Sequence, residues 1–465
     1  MIASLGTDNL RLSILVTACC LLLPIFMRHI SKQRAKGWAW CIIPVFIGGF
    51  FVKSAIMARE VLGGVVLTTY LARYLPWLTR FELEYAVEVS AICFLLFMLS
   101  TILLPSHWGN RQMNNAAYEC STGQINIVRL NVLLICVISI FILTTLLPPL
   151  LGFGQMGLEH KKLPFRLDAF ITRTRIVLIP FLMVVLLWLL DRPKYRNNWG
   201  MVMSLYFILS LADAWMRGSR SSVALAAIPM LVLWLITNKL TATRRAIIAL
   251  CGILVVLSYP IFTALRLARV RGTELIHTDI FSAISDVFSL DGLYRYIDVL
   301  ISRFQGVNGL LLSLNYQQSH PESSSLLRLV DQSRMAYFHT HRVAGVPDDM
   351  IEGCAPGFLG GLVNAGGMML MYGAVLASPY VIHFIWQTLR ATCIQPAALA
   401  FGSLTLFLYI NEGTFGVQTP IAFSVALVIN SAVAKWLLIG TQTHSMLITT
   451  QKPKIDSPSN LDYTK

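Results

Sequence analysis

The sequence predicts an all-α polytopic integral membrane protein with about eleven to twelve transmembrane helices. Three observations carry that expectation. Of 465 residues, 56% are hydrophobic and only 13% are charged, about half the charged share of a soluble domain. Mean hydropathy is +0.66. Apolar runs of span length recur along the chain, with basic residues gathered in short loops between them. A soluble core cannot hide so much apolar surface, but lipid can cover it. An ordinary cytosolic enzyme, a disordered chain and a coiled coil are thereby excluded.

The spans read, in order, at 11–27, 38–58, 85–104, 129–148, 174–190, 199–215, 221–237, 246–265, 357–386, 396–411 and 420–439. No basic stretch precedes the first run, so it reads as a retained span and not as a signal peptide. The stretch 60–80 reads as an interfacial or re-entrant helix, with Arg73 and Arg80 snorkelling and Trp77 at headgroup level. Counting it as a span would invert everything downstream. The 357–386 segment is longer than a span needs. Gly360, Gly361, Gly366, Gly367 and Pro379 mark it for a kink or a start outside the membrane. The chain thus divides into N-terminal helices (1–265), one large loop (266–355), C-terminal helices (356–440) and a tail (441–465).

Orientation follows from the short loops. Arg28, Lys32, Arg34 and Lys36 follow the first span; Arg192, Lys194 and Arg196 follow the fifth; Lys239, Arg244 and Arg245 follow the seventh. Alternation puts all three on one side, which the positive-inside rule makes the cytoplasm. The tail with Lys452 and Lys454 falls on the same side, and the N-terminus outside. The net charge of +14, from 37 Lys+Arg against 23 Asp+Glu, is partly explained by this bias, and no nucleic-acid partner is expected. The nine cysteines form no disulfide or zinc framework, and most lie in apolar runs as small filler.

The loop 266–355 is by far the longest, and alternation places it outside. Ile280, Phe281, Ile284, Val287, Phe288, Tyr294, Ile297, Ile301 and Phe304 recur at mostly helical spacing. That predicts an amphipathic helix over 279–304 lying on the outer membrane surface. A second helix is predicted around Ser324–Tyr337.

Some basic residues are not explained by the inside rule. Arg217 and Arg220 form RGSR at the outer ends of the sixth and seventh spans. Arg266, Arg269 and Arg271 form RLARVRG at the outer end of the eighth. The outer loop 149–175 adds Lys161, Lys162, Arg166, Arg173 and Arg175. Such arginines snorkel to headgroups, pair with carboxylates such as Asp168, or hold an anion at the membrane boundary. Guanidinium forks suit phosphate oxygens and keep their charge when partly desolvated, which favours the anion site for the two motifs together. Ser219 and Ser221 can cap the helix that follows RGSR.

The long loop also holds His277, His320, His339 and His341, with several carboxylates. A histidine or carboxylate there can take a proton from a hydroxyl acceptor. FHTHR places His339 and His341 just ahead of Arg342, and their spacing is not that of a zinc site. APGFLGGLVNAGGMMLMYG, over 355–373, supplies small residues for close helix packing. Asp213, Asn411 and Glu412 are polar groups near the outer boundary that line a site or cap span ends.

This layout resembles the Wzy-type polymerases of O-antigen and related oligosaccharide repeat units, distant relatives of the O-antigen ligases. The residues that carry the resemblance are RGSR opening a span, RLARVRG before one large outer loop, and the PGFLGGLVNAGG return. It covers most of the chain in layout and about 220–375 in motif. The resemblance implies a GT-C-like helical fold in the bacterial inner membrane, with its active site facing the periplasm. It implies undecaprenyl-diphosphate-linked oligosaccharides as substrates and the lipid bilayer as surroundings. It also implies a chain-length regulator and a flippase as partners, and no metal or other cofactor. Carried over by residue, Arg217, Arg220, Arg266, Arg269 and Arg271 hold the diphosphates, and His339 or His341 activates the acceptor hydroxyl. Many relatives carry a Glu in the segment that reads GFLGGLVNAGG here, and this chain lacks it. An O-antigen ligase, with lipid A core as acceptor, shares the same donor chemistry. A lipid-linked oligosaccharide flippase is the rival from another class. Carriers usually join spans by short loops and show two related halves, so the long outer loop argues against it.

Overall fold

In the computed structural model the residues described are 10–33, 80–104, 123–151, 163, 164, 167–217, 221–237, 239, 241–250, 252, 253, 285, 289, 306–330, 332–345, 356–390, 392–412 and 418–439. They form an all-helical bundle with one minimal strand pair. The N-terminal helices are α1 (Leu10–Gln33), α2 (Arg80–Leu103) and α3 (Ile127–Leu151). Next come α4 (Leu167–Arg173), α5 (Ile179–Leu190), α6 (Arg196–Arg217) and α7 (Ser221–Ile236). The large loop contains α8 (Gly306–Ser319), α9 (Leu327–Val330) and α10 (Gln332–Tyr337). The chain returns through α11 (Gly357–Arg390), α12 (Gln395–Glu412) and α13 (Gln418–Leu437).

Among the described residues, seven helices are long and apolar enough to cross a membrane: Leu10–Ile30, Glu84–Leu103, Ile127–Pro148, Phe170–Leu190, Pro193–Met216, Gly357–Leu389 and Pro420–Leu437. The apolar part of α7, Ala226–Ile236, is shorter. The segments expected as spans at 221–237 and 396–411 are helical, as α7 and α12, but are not among these seven. The spans expected at 38–58 and 246–265 lie wholly or mostly outside the described residues, as do the stretch 60–79 and the amphipathic helix over 279–304.

The apolar residues show why this bundle suits lipid. On α3, Leu130, Leu134, Val137 and Phe141 are buried, while Val128, Ile135, Ile142, Leu143 and Leu150 are exposed. An apolar helix with one face packed and the other bare would be insoluble in water and is at home in a bilayer. The centre of the bundle is α5. Every residue from Phe181 to Leu190 is buried, which fits a helix that is apolar all round. It packs on α6, α7, α12 and α13.

One end of the bundle is tied by polar groups. The strand pair joins β1 (Gln124–Ile125) to β2 (Leu438–Ile439), antiparallel. Ile125 N donates to the Tyr195 hydroxyl at 3.0 Å, and Arg192 Nη1 donates to Gly123 O at 2.6 Å. Asp191 receives both Lys239, at 3.1 Å, and Arg244. The Arg244 guanidinium also lies over the rings of Trp199 and Trp234. Thus the segments 123–129, 191–196, 239–245 and 436–439 meet at one end.

The large loop is more than a surface cover. α8 packs on α2 and on the first half of α11. Leu310, Leu311 and Leu314 are buried there. The helix expected around Ser324–Tyr337 is built instead from short pieces: a 3-10 turn at Pro321–Ser323, then α9 and α10.

Candidate functional site

The site starts from two glycines. A Cβ added to Gly309 would lie 1.9 Å from the Pro356 carbonyl oxygen, and one added to Gly360 would lie 2.6 Å from the Gly309 carbonyl oxygen. Backbone meets backbone here, so α8 and α11 approach as only small residues allow. One turn on, the Ser313 hydroxyl donates to Gly309 O at 2.7 Å.

α11 then breaks, as the run of glycines led us to expect. Gly366 has φ −159° and ψ 21°; Gly367 has φ 72° and ψ −168°, a region open essentially to glycine alone. The break ends a half-helix and frees carbonyls of its last turn. Arg328 Nη1 donates to one of them, Asn364 O, at 2.8 Å. A cation is favoured at a helix C-terminus, where the backbone dipoles leave negative charge. The same guanidinium lies 3.3 Å from the centroid of the Phe338 ring. Phe338 meets Tyr316 of α8 edge-on, at 5.5 Å between ring centres. The loop segment is therefore pinned to both helices at the break.

Phe338 opens a π-helical turn, Phe338–Val343. Such turns are frequent at functional sites. This one sends its two histidines to different surroundings. His341 is half-buried, its ring 4.6 Å from that of Tyr337. His339 is 0% exposed. Its Nδ1 lies 3.0 Å from the side-chain nitrogen of Asn364. An amide nitrogen can only donate, so Nδ1 accepts and the ring proton sits on Nε2. Burial pushes His339 down to about 3, which keeps the ring neutral at physiological pH.

Two buried polar atoms at this break have no hydrogen-bond partner among the described residues: His339 Nε2 and Gln317 Oε1. The Gln317 amide packs against Gly367, where an added Cβ would come within 2.7 Å of its nitrogen. A buried polar atom left unsatisfied costs about 1–3 kcal/mol. Two together mark a place that a polar ligand or water completes.

A second polar cluster lies between α3, α5 and α6. Arg175, in a π-helical turn at Thr174–Leu178, sits 3.0 Å from Asp213 Oδ1, with side-chain exposures of 1% and 7%. Arg175 Nη1 also donates to Thr144 O at 3.2 Å. They border a cavity of about 20 Å³, room for about one water, with Tyr206, Ser210 and Ile179. This corrects the reading of Arg175 as outer-loop charge. A buried guanidinium needs a counter-ion, and Asp213 provides one.

Of the residues expected to carry chemistry, the structure brings His339 to the α8–α11 seam, while His341 of the same π-helical turn lies against Tyr337. Arg217 closes α6. Arg220, Arg266, Arg269 and Arg271 lie outside the described residues. Asn364, Gln317 and Arg328 were not anticipated. The available signal was a lone asparagine two positions ahead of a glycine pair in an otherwise apolar run. No protein-family model, curated protein or solved structure matches the chain.

Proposed function

We propose that the chain polymerises undecaprenyl-diphosphate-linked oligosaccharide repeat units at the periplasmic face of the bacterial inner membrane, on a GT-C-like fold. The observation that carries this reading is the pair of arginine motifs, Arg217 with Arg220 and Arg266 with Arg269 and Arg271, which alternation sets at the outer ends of adjacent spans. Lipid diphosphate is the anion that belongs at that depth, with its headgroup at the boundary and its tail in the bilayer.

The chemistry is a glycosyl transfer. The acceptor hydroxyl oxygen bonds to the anomeric carbon of the donor chain. The bond from that carbon to the diphosphate breaks, and its electron pair leaves with the diphosphate. The hydroxyl proton passes to a loop base, for which His341 is the candidate, because Nδ1 of His339 is held by Asn364 and its Nε2 carries the ring proton. The arginines stabilise the charge that develops on the leaving group. The orphaned polar atoms at the α8–α11 seam support a place for the acceptor. A chain-length regulator and a flippase are the partners that such an enzyme works beside.

A deletion strain tests this. Loss of the polymerase leaves lipid A core bearing a single repeat unit. Bare core with accumulated lipid-linked polymer would instead identify a ligase. Repeat units stalled on the cytoplasmic leaflet would identify a transporter. Arg217→Ala and Arg266→Ala should abolish long chains at normal protein level; wild-type chain lengths in both would remove the anion site.

A further inference from the structure

The geometry points to a binding site for a neutral hydroxyl at the Gly366–Gly367 break, with His339 as its donor, Gln317 as its acceptor and Asn364 as the residue that positions His339. It rests on the polymerase reading for the identity of the ligand, a sugar hydroxyl of the lipid-linked acceptor. It also divides labour between the two loop histidines, leaving proton removal to His341.

The argument starts from the tautomer. Asn364 presents its nitrogen to Nδ1, so the buried Nε2 carries the proton. The group on offer is an N–H and not a lone pair. In this arrangement Nε2 cannot bind a metal or take a proton. The Gln317 Oε1 is an acceptor, held at the same break by the contact of its amide with Gly367. A hydroxyl, of a sugar or of the water it would displace, both accepts one hydrogen bond and donates one, so it can satisfy a donor and an acceptor without bringing charge. An anion would meet a single N–H and the Gln317 carbonyl oxygen, which repels it. The nearby cation, Arg328, gives one N–H to the Asn364 carbonyl and lies over the Phe338 ring. His339 is fully covered, so the hydroxyl enters as the segment 338–343 lifts from α11.

The positioning role of Asn364 has a clear physical basis. An imidazole with a free choice of tautomer would offer a donor part of the time and an acceptor the rest. The amide of Asn364, itself buried, removes that choice by donating to Nδ1.

Two measurements on the full-length protein test this. The first is the ¹⁵N spectrum of histidine-labelled protein in lipid nanodiscs, with His339 identified by its loss in His339→Gln. The expected result is the Nε2–H tautomer, and Asn364→Asp, which can only accept, should convert it to Nδ1–H. A wild-type ring protonated on Nδ1 overturns the proposal. The second is chain length in the complemented deletion strain, with protein level read alongside. His339→Ala and Gln317→Leu should each lower polymer about tenfold or more. His339→Gln, which keeps an amide N–H near the place of Nε2–H, should stay within about threefold of wild type. Equal loss in His339→Gln and His339→Ala, or full activity in Gln317→Leu, overturns the hydroxyl site. A deletion strain with normal polysaccharide overturns the polymerase reading and not this one; the imidazole spectrum then decides it alone.

Discussion

Arg175 Nε lies 3.0 Å from Asp213 Oδ1, and both side chains are almost wholly buried. The pair joins the π-helical turn before α5 to the end of α6. Two such charges out of water are tolerated because each neutralises the other. Removing one leaves the other buried beside lipid-facing helices. Arg175→Met or Asp213→Leu should each cost about 3–5 kcal/mol, while the two combined should lie closer to wild type. Thermal unfolding of the detergent-solubilised protein reads all four states of this cycle. Losses that simply add would show that the two charges do not depend on one another.

The contact between α8 and α11 makes a sharper prediction, because it is steric. An added Cβ at Gly309 would overlap the Pro356 carbonyl at 1.9 Å, and one at Gly360 would press on the Gly309 carbonyl at 2.6 Å. Neither obstacle is a flexible side chain. Gly309→Ala and Gly360→Ala should therefore each destabilise by about 1–3 kcal/mol or more. Gly373, on the same helix as Gly360, has nothing within 4 Å of an added Cβ. Gly373→Ala should be neutral or slightly stabilising. Protease resistance of the solubilised variants separates the outcomes. Equal behaviour at all three positions would mean that α8 does not dock where it is seen.

The spans of the bundle were legible in the sequence because a bilayer imposes a length and a polarity that a window can count. The break in α11 was legible too, since Gly366 and Gly367 mark it directly. α8 was not. Its apolar core, Leu310–Leu314, is too short for a span, and its contact with α11 runs through Gly309 and Gly360, whose smallness carries no periodic signal. Arg175 was misplaced for a related reason. Its partner Asp213 is distant in sequence, so only the packing of α3, α5 and α6 brings them together. The histidines of FHTHR were visible as a pair. What separates them is the π-helical turn, and that turn depends on contacts from Arg328 and Tyr316 outside the motif.

Sidedness can be tested independently of activity. The end of the bundle tied by Asp191, Lys239 and Arg244 carries the exposed residues Lys194 and Arg245. Glu322, also exposed, belongs to the large loop. Alternation puts these on opposite faces of the membrane. In a background without the native cysteines, Glu322→Cys should react with an impermeant thiol reagent in intact spheroplasts. Lys194→Cys and Arg245→Cys should react only after the membrane is opened. Labelling of Lys194→Cys and Glu322→Cys from the same side would break the proposed topology.

The buried imidazole gives a last prediction, with a definite sign. Burial holds His339 near 3, against an ordinary value of 6.5. Between those two values the unfolded segment binds a proton that the folded one refuses. Stability contributed here is therefore complete above about pH 6.5 and is lost as pH falls below it. The loss should be local first, because a proton on Nδ1 would face the N–H of Asn364, donor against donor, at the seam where 338–343 meets α11. Hydrogen exchange, corrected for the intrinsic effect of pH, should thus quicken in residues 332–343 between about pH 7.5 and about pH 5, while α5 stays protected. His339→Gln has no ring to titrate and should lose this response. If exchange in the variant quickened as in wild type, the proton would be landing elsewhere. If neither changed, His339 would not be sealed against α11, since only a covered imidazole makes the folded segment refuse the proton.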